Sequence, residues 1–261
     1  MSPPSVVGPR GPRRKIVGTS LKMYFDLTKT LTYAADLAAL AHHADNNNID
    51  LFIIPDFVSL VPVKHALKDT TVQLGAQDAF WEDSGAFTGE VSCQTLKQAG
   101  VCLVELGHAE RRRLFGETDA TVAKKAAAVS RNGLVPLVCI GEKTHGNIAS
   151  QAVGMAIEEC KPQITSLLAA VPDDSELVIA YEPVWAIGAK EPANADHVVA
   201  VTQQLRKMME GRKGLTRILY GGSAGPGTFD KLRDGVDGLF LGRFAHDVKN
   251  LEQVILEMSD S

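Results

Sequence analysis

Short apolar runs alternate along this chain with longer stretches whose hydrophobic residues recur every three to four positions. The runs are Ile16–Thr19, Leu51–Ile54, Val72–Gly75, Cys102–Leu106, Pro136–Ile140, Leu177–Tyr181, Arg217–Tyr220 and Gly238–Leu241. Each is short and mostly apolar without a strict two-residue alternation, as strands buried on both faces read. Between them, Thr28–Ala44 carries Leu31, Ala34, Ala35, Leu37, Leu40 and Ala41 close to a 3.6-residue period, which predicts a helix with one buried face. Thr118–Val129 and Gln151–Leu168 repeat that pattern, and Ala195–Met209 opens with Asp196 in its first turn, favourable for the helix dipole. Asp230–Arg233 and Leu251–Met258 are shorter helical segments. Eight strands alternating with helices predict an α/β fold with parallel pairing through right-handed crossovers. A closed (β/α)8 barrel and an open doubly wound sheet both satisfy that order. No GxGxxG follows a predicted strand, which weakens a dinucleotide-binding version of the open sheet.

A chain of 261 residues suits one large domain as well as two small ones, and eight β/α units typically need roughly 250. With no linker or low-complexity stretch inside it, residues 15–261 read as one domain. Residues 1–14, MSPPSVVGPRGPRR, form a proline-rich basic arm, expected to be disordered. It lacks the apolar segment of a secretory signal, so a cytoplasmic location is expected. A net charge of -4 argues against nucleic acid as a partner. No apolar run approaches the ~18 residues that span a bilayer. The four cysteines make no CxxC pair and read as reduced thiols. The histidines show no metal-ligand spacing, so no metal site is expected.

In a β/α barrel the working residues stand at the C-terminal ends of the strands. The first predicted strand runs into Ser20-Leu21-Lys22, the fourth into Gly107-His108-Ala109-Glu110, the sixth into Glu182-Pro183, the seventh into Gly221-Gly222-Ser223, and the eighth into Gly242-Arg243. A lysine, a histidine and a carboxylate on one rim suit proton abstraction next to a carbonyl. The carboxylate takes a carbon-bound proton, a neutral imidazole donates to the carbonyl oxygen, and the ammonium offsets enediolate charge. Backbone N–H groups of glycine-containing turns can cradle a phosphate. Taken singly, each residue also reads as an ordinary surface charge, structural hydrogen-bonder or turn; the chemical case rests on their joint placement.

The segments YEPVWAIG (Tyr181–Gly188), GHAERR (Gly107–Arg112), YGGS (Tyr220–Ser223), GAFTGE (Gly85–Glu90) and VCIGE (Val138–Glu142) resemble the signature segments of the triosephosphate isomerase family, in the family's order. The resemblance covers nearly the whole chain after the arm and implies the closed barrel. It implies Glu182 as the proton-shuttling base, His108 as the neutral electrophile and Lys22 as the charge-stabilising, substrate-binding lysine. Glu110 would support the lysine and the base from behind. Phosphate would rest on backbone N–H groups near Gly188, Ser223 and Gly242. Pro183–Gly188 would begin a lid that excludes water. The resemblance also implies a homodimer, with Thr88 reaching the neighbouring subunit, a phosphorylated sugar as substrate, and no cofactor.

The chain departs from the family's usual pattern at several positions. Ser20 stands where an asparagine normally touches substrate, and Ala109 follows the histidine where the family has serine. The lid reads Ile187-Gly188-Ala189-Lys190-Glu191-Pro192, without the usual glycine at its tip and with a proline that stiffens it. Arg243 replaces the second of two glycines; its guanidinium would either bind phosphate or turn out to a surface carboxylate. Glu105 occupies a late position in the fourth strand where an aliphatic residue is usual, and needs a partner if it points inward. These departures resemble a side branch that interconverts four-carbon erythrulose phosphates. The first expectation is therefore interconversion of dihydroxyacetone phosphate and glyceraldehyde 3-phosphate. The alternatives are the same chemistry on an erythrulose phosphate, and a catalytically silent barrel that serves as a binding protein.

Overall fold

Eight parallel strands pair in chain order and close on themselves: β1 (Lys15–Ser20), β2 (Ile49–Ile54), β3 (Gln73–Ala76), β4 (Leu103–Leu106), β5 (Val135–Ile140), β6 (Leu177–Tyr181), β7 (Thr216–Tyr220) and β8 (Gly238–Leu241). The computed structural model describes residues 14–146 and 148–260. Closure is made by β8 against β1, from Ile16 opposite Gly238 to Thr19 opposite Leu241. The chain is thus a (β/α)8 barrel, and the open-sheet alternative is excluded. Around it run α1 (Leu27–Asn46), α2 (Leu60–Ala66), α3 (Cys93–Gln98), α4 (Ala109–Phe115), α5 (Asp119–Arg131), α6 (Ala149–Ala170), α7 (Ala195–Met208), α8 (Thr228–Leu232) and α9 (Val248–Asp260).

Local chemistry accounts for many of the boundaries. Asp26, Ser92 and Asn194 cap α1, α3 and α7 by accepting from backbone N–H groups of their first turns. Thr118 and Thr121 satisfy each other's backbone groups at the start of α5. Three helices were not expected from periodicity: α2, α3 and α4 are six or seven residues long, too short to display a repeating face. α4 buries none of its residues. Its marks are its two ends, His108 before it and the left-handed Gly116 after it.

Two apolar layers hold the barrel. The larger lies between strands and helices; the smaller fills the lumen with inward residues such as Phe52, Leu103, Leu137, Leu219 and Phe240. Gly18 belongs to that arrangement, because a Cβ there would overlap the Phe52 ring. Below the apolar lumen, Arg217 donates to Asp50 at 2.6 Å and to Glu176 at 2.7 Å. Arg14 also pairs with Asp50, at 2.9 Å. Except for Arg14, the expected disordered arm lies outside the described residues. Among those residues no helix is long and apolar enough to cross a membrane. The opposite, C-terminal mouth of the barrel is open, and a cavity of about 1070 Å³ occupies it.

Candidate active site

Lys22, His108, Glu182, Gly188, Ser223, Gly242 and Arg243 all border that cavity, together with Ser20, Glu105 and Glu110. The backbone fixes Lys22 first. The β1–β2 ladder continues one residue past β1, with Leu21 N–H donating to Ile54 at 2.9 Å. Lys22 then adopts a left-handed φ of 49°, which costs about 1–2 kcal/mol for a residue with a side chain. The Gln77 amide donates to the Lys22 carbonyl at 2.8 Å and holds it there. Gln77 follows β3, a strand end at which the sequence offered no candidate.

Lys22 Nζ bonds Glu110 Oε1 at 2.8 Å and lies 3.4 Å from His108 Nε2. Burial opposes the lysine's charge, but the hydrogen bond and charge of Glu110, with Glu182 and Glu105 beyond it, keep its pKa above the ordinary value. Glu110 remains ionised in return: burial works against it, and Lys22 outweighs that penalty.

His108 is buried at the start of α4, where its Nδ1 accepts the Glu110 backbone N–H at 3.1 Å. That bond leaves Nδ1 without a proton, so the neutral ring carries its proton on Nε2. Burial, and then the Lys22 charge, push its pKa down to about 4. The ring is therefore neutral near pH 7, with an N–H donor 3.6 Å from Glu182 Oε2.

Glu182 follows β6 and is also buried; its Oε2 has no hydrogen-bond partner. Burial first, and then the charge of Glu105, push its pKa up to about 8. Cys139 lies beside it, and its thiol is driven well above its ordinary value, mainly by burial. Gly221 is constrained by the same carboxylate, since a Cβ there would overlap Glu182 Oε1. Glu105 points inward from β4, with burial as the main cause of a pKa raised to about 7. Its Oε2 has no partner, and neither does the Ser20 hydroxyl beside it, although the two are near enough to influence each other.

The segment after Glu182 is tied down at several points. The buried Glu142 carboxylate accepts from the Tyr181 hydroxyl at 3.0 Å and from the Trp185 indole at 3.0 Å, and contacts His197 at 3.2 Å. Ser223 Oγ donates to the Ala189 carbonyl at 2.6 Å, and Ser223 N–H to Ala186 at 3.3 Å. Ala193 N–H donates to the Tyr220 hydroxyl at 2.9 Å. Gly188 itself is left-handed, with φ 71°. Arg243 is exposed at the rim, and among the described residues no carboxylate pairs with it. His246, Tyr24 and Phe244 also line the cavity; no sequence motif pointed to them, because they follow the strands at irregular distances. Among the described residues no cluster of side chains is suited to a metal ion. Thr88 is exposed, away from the cavity.

Such a site has a buried base, a neutral N–H donor and a paired ammonium around one space, which is the equipment for proton transfer through an enediolate. A family model described as triosephosphate isomerase matches residues 15–258. An L-erythrulose-1-phosphate isomerase of Pectobacterium atrosepticum is 45% identical over 243 residues, covering 90% of this chain and 92% of the relative. Proteins of the same name from Rhizobium meliloti and Rhizobium etli are 42% and 40% identical, covering 89% and 93% of this chain and 92% of each relative. The family and these relatives support an isomerase rather than a catalytically silent barrel. The chain belongs to the triosephosphate isomerase family.

Proposed function

We propose that this isomerase acts on a four-carbon sugar phosphate, L-erythrulose 1-phosphate, in preference to a triose phosphate. The arrangement of His108 Nε2 between Lys22 Nζ and Glu182 Oε2, at 3.4 and 3.6 Å, carries the mechanism. The names of the relatives, and the polar pair Ser20 and Glu105 in the cavity wall, favour the four-carbon substrate over the triose first expected from the motifs.

The substrate's chemistry restricts the reaction. Its carbonyl is at C2 and its phosphate at C1, so the carbonyl can move only to C3, giving erythrulose 4-phosphate. Ionised Glu182 removes the C3 proton as the C2–C3 double bond forms. His108 Nε2–H donates to the oxygen on C2, and Lys22 offsets the enediolate charge. Glu182 then returns the proton to C2 while the C3 hydroxyl proton passes by way of His108 to the oxygen on C2, leaving a hydroxyl at C2 and the carbonyl at C3. Phosphate is bound at the rim by backbone N–H groups near Gly188, Ser223 and Gly242, with the Arg243 guanidinium as an added cation. Ser223 N–H first has to release Ala186, a long bond at 3.3 Å. Glu110 keeps Lys22 charged and, through its N–H, keeps the His108 proton on Nε2.

The deciding experiment compares kcat/KM for L-erythrulose 1-phosphate and dihydroxyacetone phosphate. A clear preference for the four-carbon ketose is expected; a preference for the triose returns the chain to the first expectation.

We also propose a homodimer. Met23, Val58 and Phe87 are exposed large apolar residues on the loops that follow β1, β2 and β3, three neighbouring sectors of one rim. Thr88 adjoins Phe87. A second copy of the chain is the partner that would cover this face.

A further inference from the structure

The cavity has two chemically different ends. In the closed order β4 lies across the barrel from β8. Gly242 and Arg243 follow β8, and Ser223 follows β7, so the expected phosphate contacts gather on one side. Glu105 comes from β4, on the other. It is 3% exposed, and its Oε2 is buried without a hydrogen-bond partner. Ser20 ends β1, next to β8, but its side chain reaches Glu105; also 3% exposed, it contributes a second buried oxygen without a partner of good geometry. Both side chains line the cavity. The two side chains lie close enough to act on each other, and groups left so poorly satisfied are costly to bury, so they form one polar patch in the wall that a ligand hydroxyl would satisfy.

A sugar hydroxyl suits that patch. It offers one donor and two acceptor lone pairs, to be shared between a carboxyl and a serine hydroxyl. The four-carbon and three-carbon substrates differ by one hydroxymethyl group, attached to the reacting carbon farther from the phosphate. With phosphate on the β7–β8 side and the reacting carbons between His108 and Glu182, that group extends toward β4. We infer that Glu105 and Ser20 form a subsite that binds the terminal hydroxymethyl of the ketose phosphate and selects four carbons over three. This rests on the four-carbon reading above. Glu105 also has a second effect, because its charge bears on Glu182. That effect is common to all substrates and leaves selectivity unchanged, whereas a hydroxyl subsite changes the ratio between substrates.

The test measures kcat/KM for L-erythrulose 1-phosphate and dihydroxyacetone phosphate with wild type, Glu105→Leu, Glu105→Gln and Ser20→Ala. Glu105→Leu is expected to lower the four-carbon to three-carbon ratio at least about tenfold, since a site built to bond a hydroxyl discriminates through it. Glu105→Gln keeps a hydrogen-bonding amide and should retain most of the ratio. Ser20→Ala should lower the ratio by a smaller factor, and serves if Glu105→Leu does not fold. Parallel changes on both substrates, with the ratio intact, overturn the subsite and leave Glu105 as an electrostatic neighbour of the base. A wild-type enzyme that turns over only the triose overturns the four-carbon reading and the subsite with it. Wild-type activity on the four-carbon ketose with unchanged ratios in the variants overturns the subsite alone.

Discussion

As the proposed base, Glu182 has to be ionised to accept a proton, yet its surroundings favour the protonated form. Burial and the Glu105 charge raise its pKa to about 8. The kcat/KM profile of the free enzyme should therefore climb with pH through about 8; an acid limb near the ordinary carboxylate value of 4.5 would mean that the base is far better solvated than its 5% exposure implies. Geometry is equally tight. Gly221→Ala would drive a methyl group into Glu182 Oε1, and displacing a base by even ~1 Å costs on the order of a hundredfold in rate. The expected result is a loss of that size in kcat with the circular dichroism spectrum unchanged; near-normal turnover would show that the carboxylate has room to move. Lys22, His108 and Glu182 were legible as candidates because each follows a predicted strand. The His108 tautomer and the Gln77 clamp on Lys22 were not, because both depend on bonds that exist only once distant segments meet.

At the scale of elements, α4 carries the Glu110 N–H that sets the His108 tautomer, yet it buries no residue of its own. It is held by charge instead. Lys125 of α5, 4% exposed, bonds Asp78 at 2.8 Å and Glu117 at 2.5 Å. Arg111 of α4 joins the same two carboxylates at 2.8 and 2.6 Å. Removing one partner of a buried ion group leaves charges stranded. Lys125→Met should destabilise the protein by about 3 kcal/mol, the lower end of the range for such groups because Arg111 remains, as read from urea unfolding. A change under about 0.5 kcal/mol would show that Arg111 and solvent satisfy both carboxylates. This cluster explains why the helix escaped the sequence pattern: its anchor is ionic, and periodicity registers only apolar faces. The long helices α1, α5, α6 and α7 were visible because they bury repeating apolar stripes, and the strands because the barrel buries both their faces.

For the whole molecule, alternation and length left a closed barrel beside an open sheet, and the family motifs implied closure, but none of these gives the size of the substrate. The catalytic motifs are common to the family, and in the proposed account discrimination falls to wall residues such as Ser20 and Glu105, which lie outside those motifs. The exposed apolar loops after β1, β2 and β3 lie beside Lys22 and predict an assembly. Analytical ultracentrifugation at micromolar concentration should give twice the 28.0 kDa chain mass; a monomer would leave the Met23, Val58 and Phe87 face unexplained. The most direct test of the proposed chemistry follows L-erythrulose 1-phosphate by proton NMR in deuterium oxide with wild type and Glu182→Gln. The wild type should yield erythrulose 4-phosphate bearing deuterium on the former carbonyl carbon, and Glu182→Gln should slow its formation by at least about 10²-fold. Formation at an undiminished rate by Glu182→Gln would contradict the assignment of Glu182 as the base and, with it, the mechanism built around that residue.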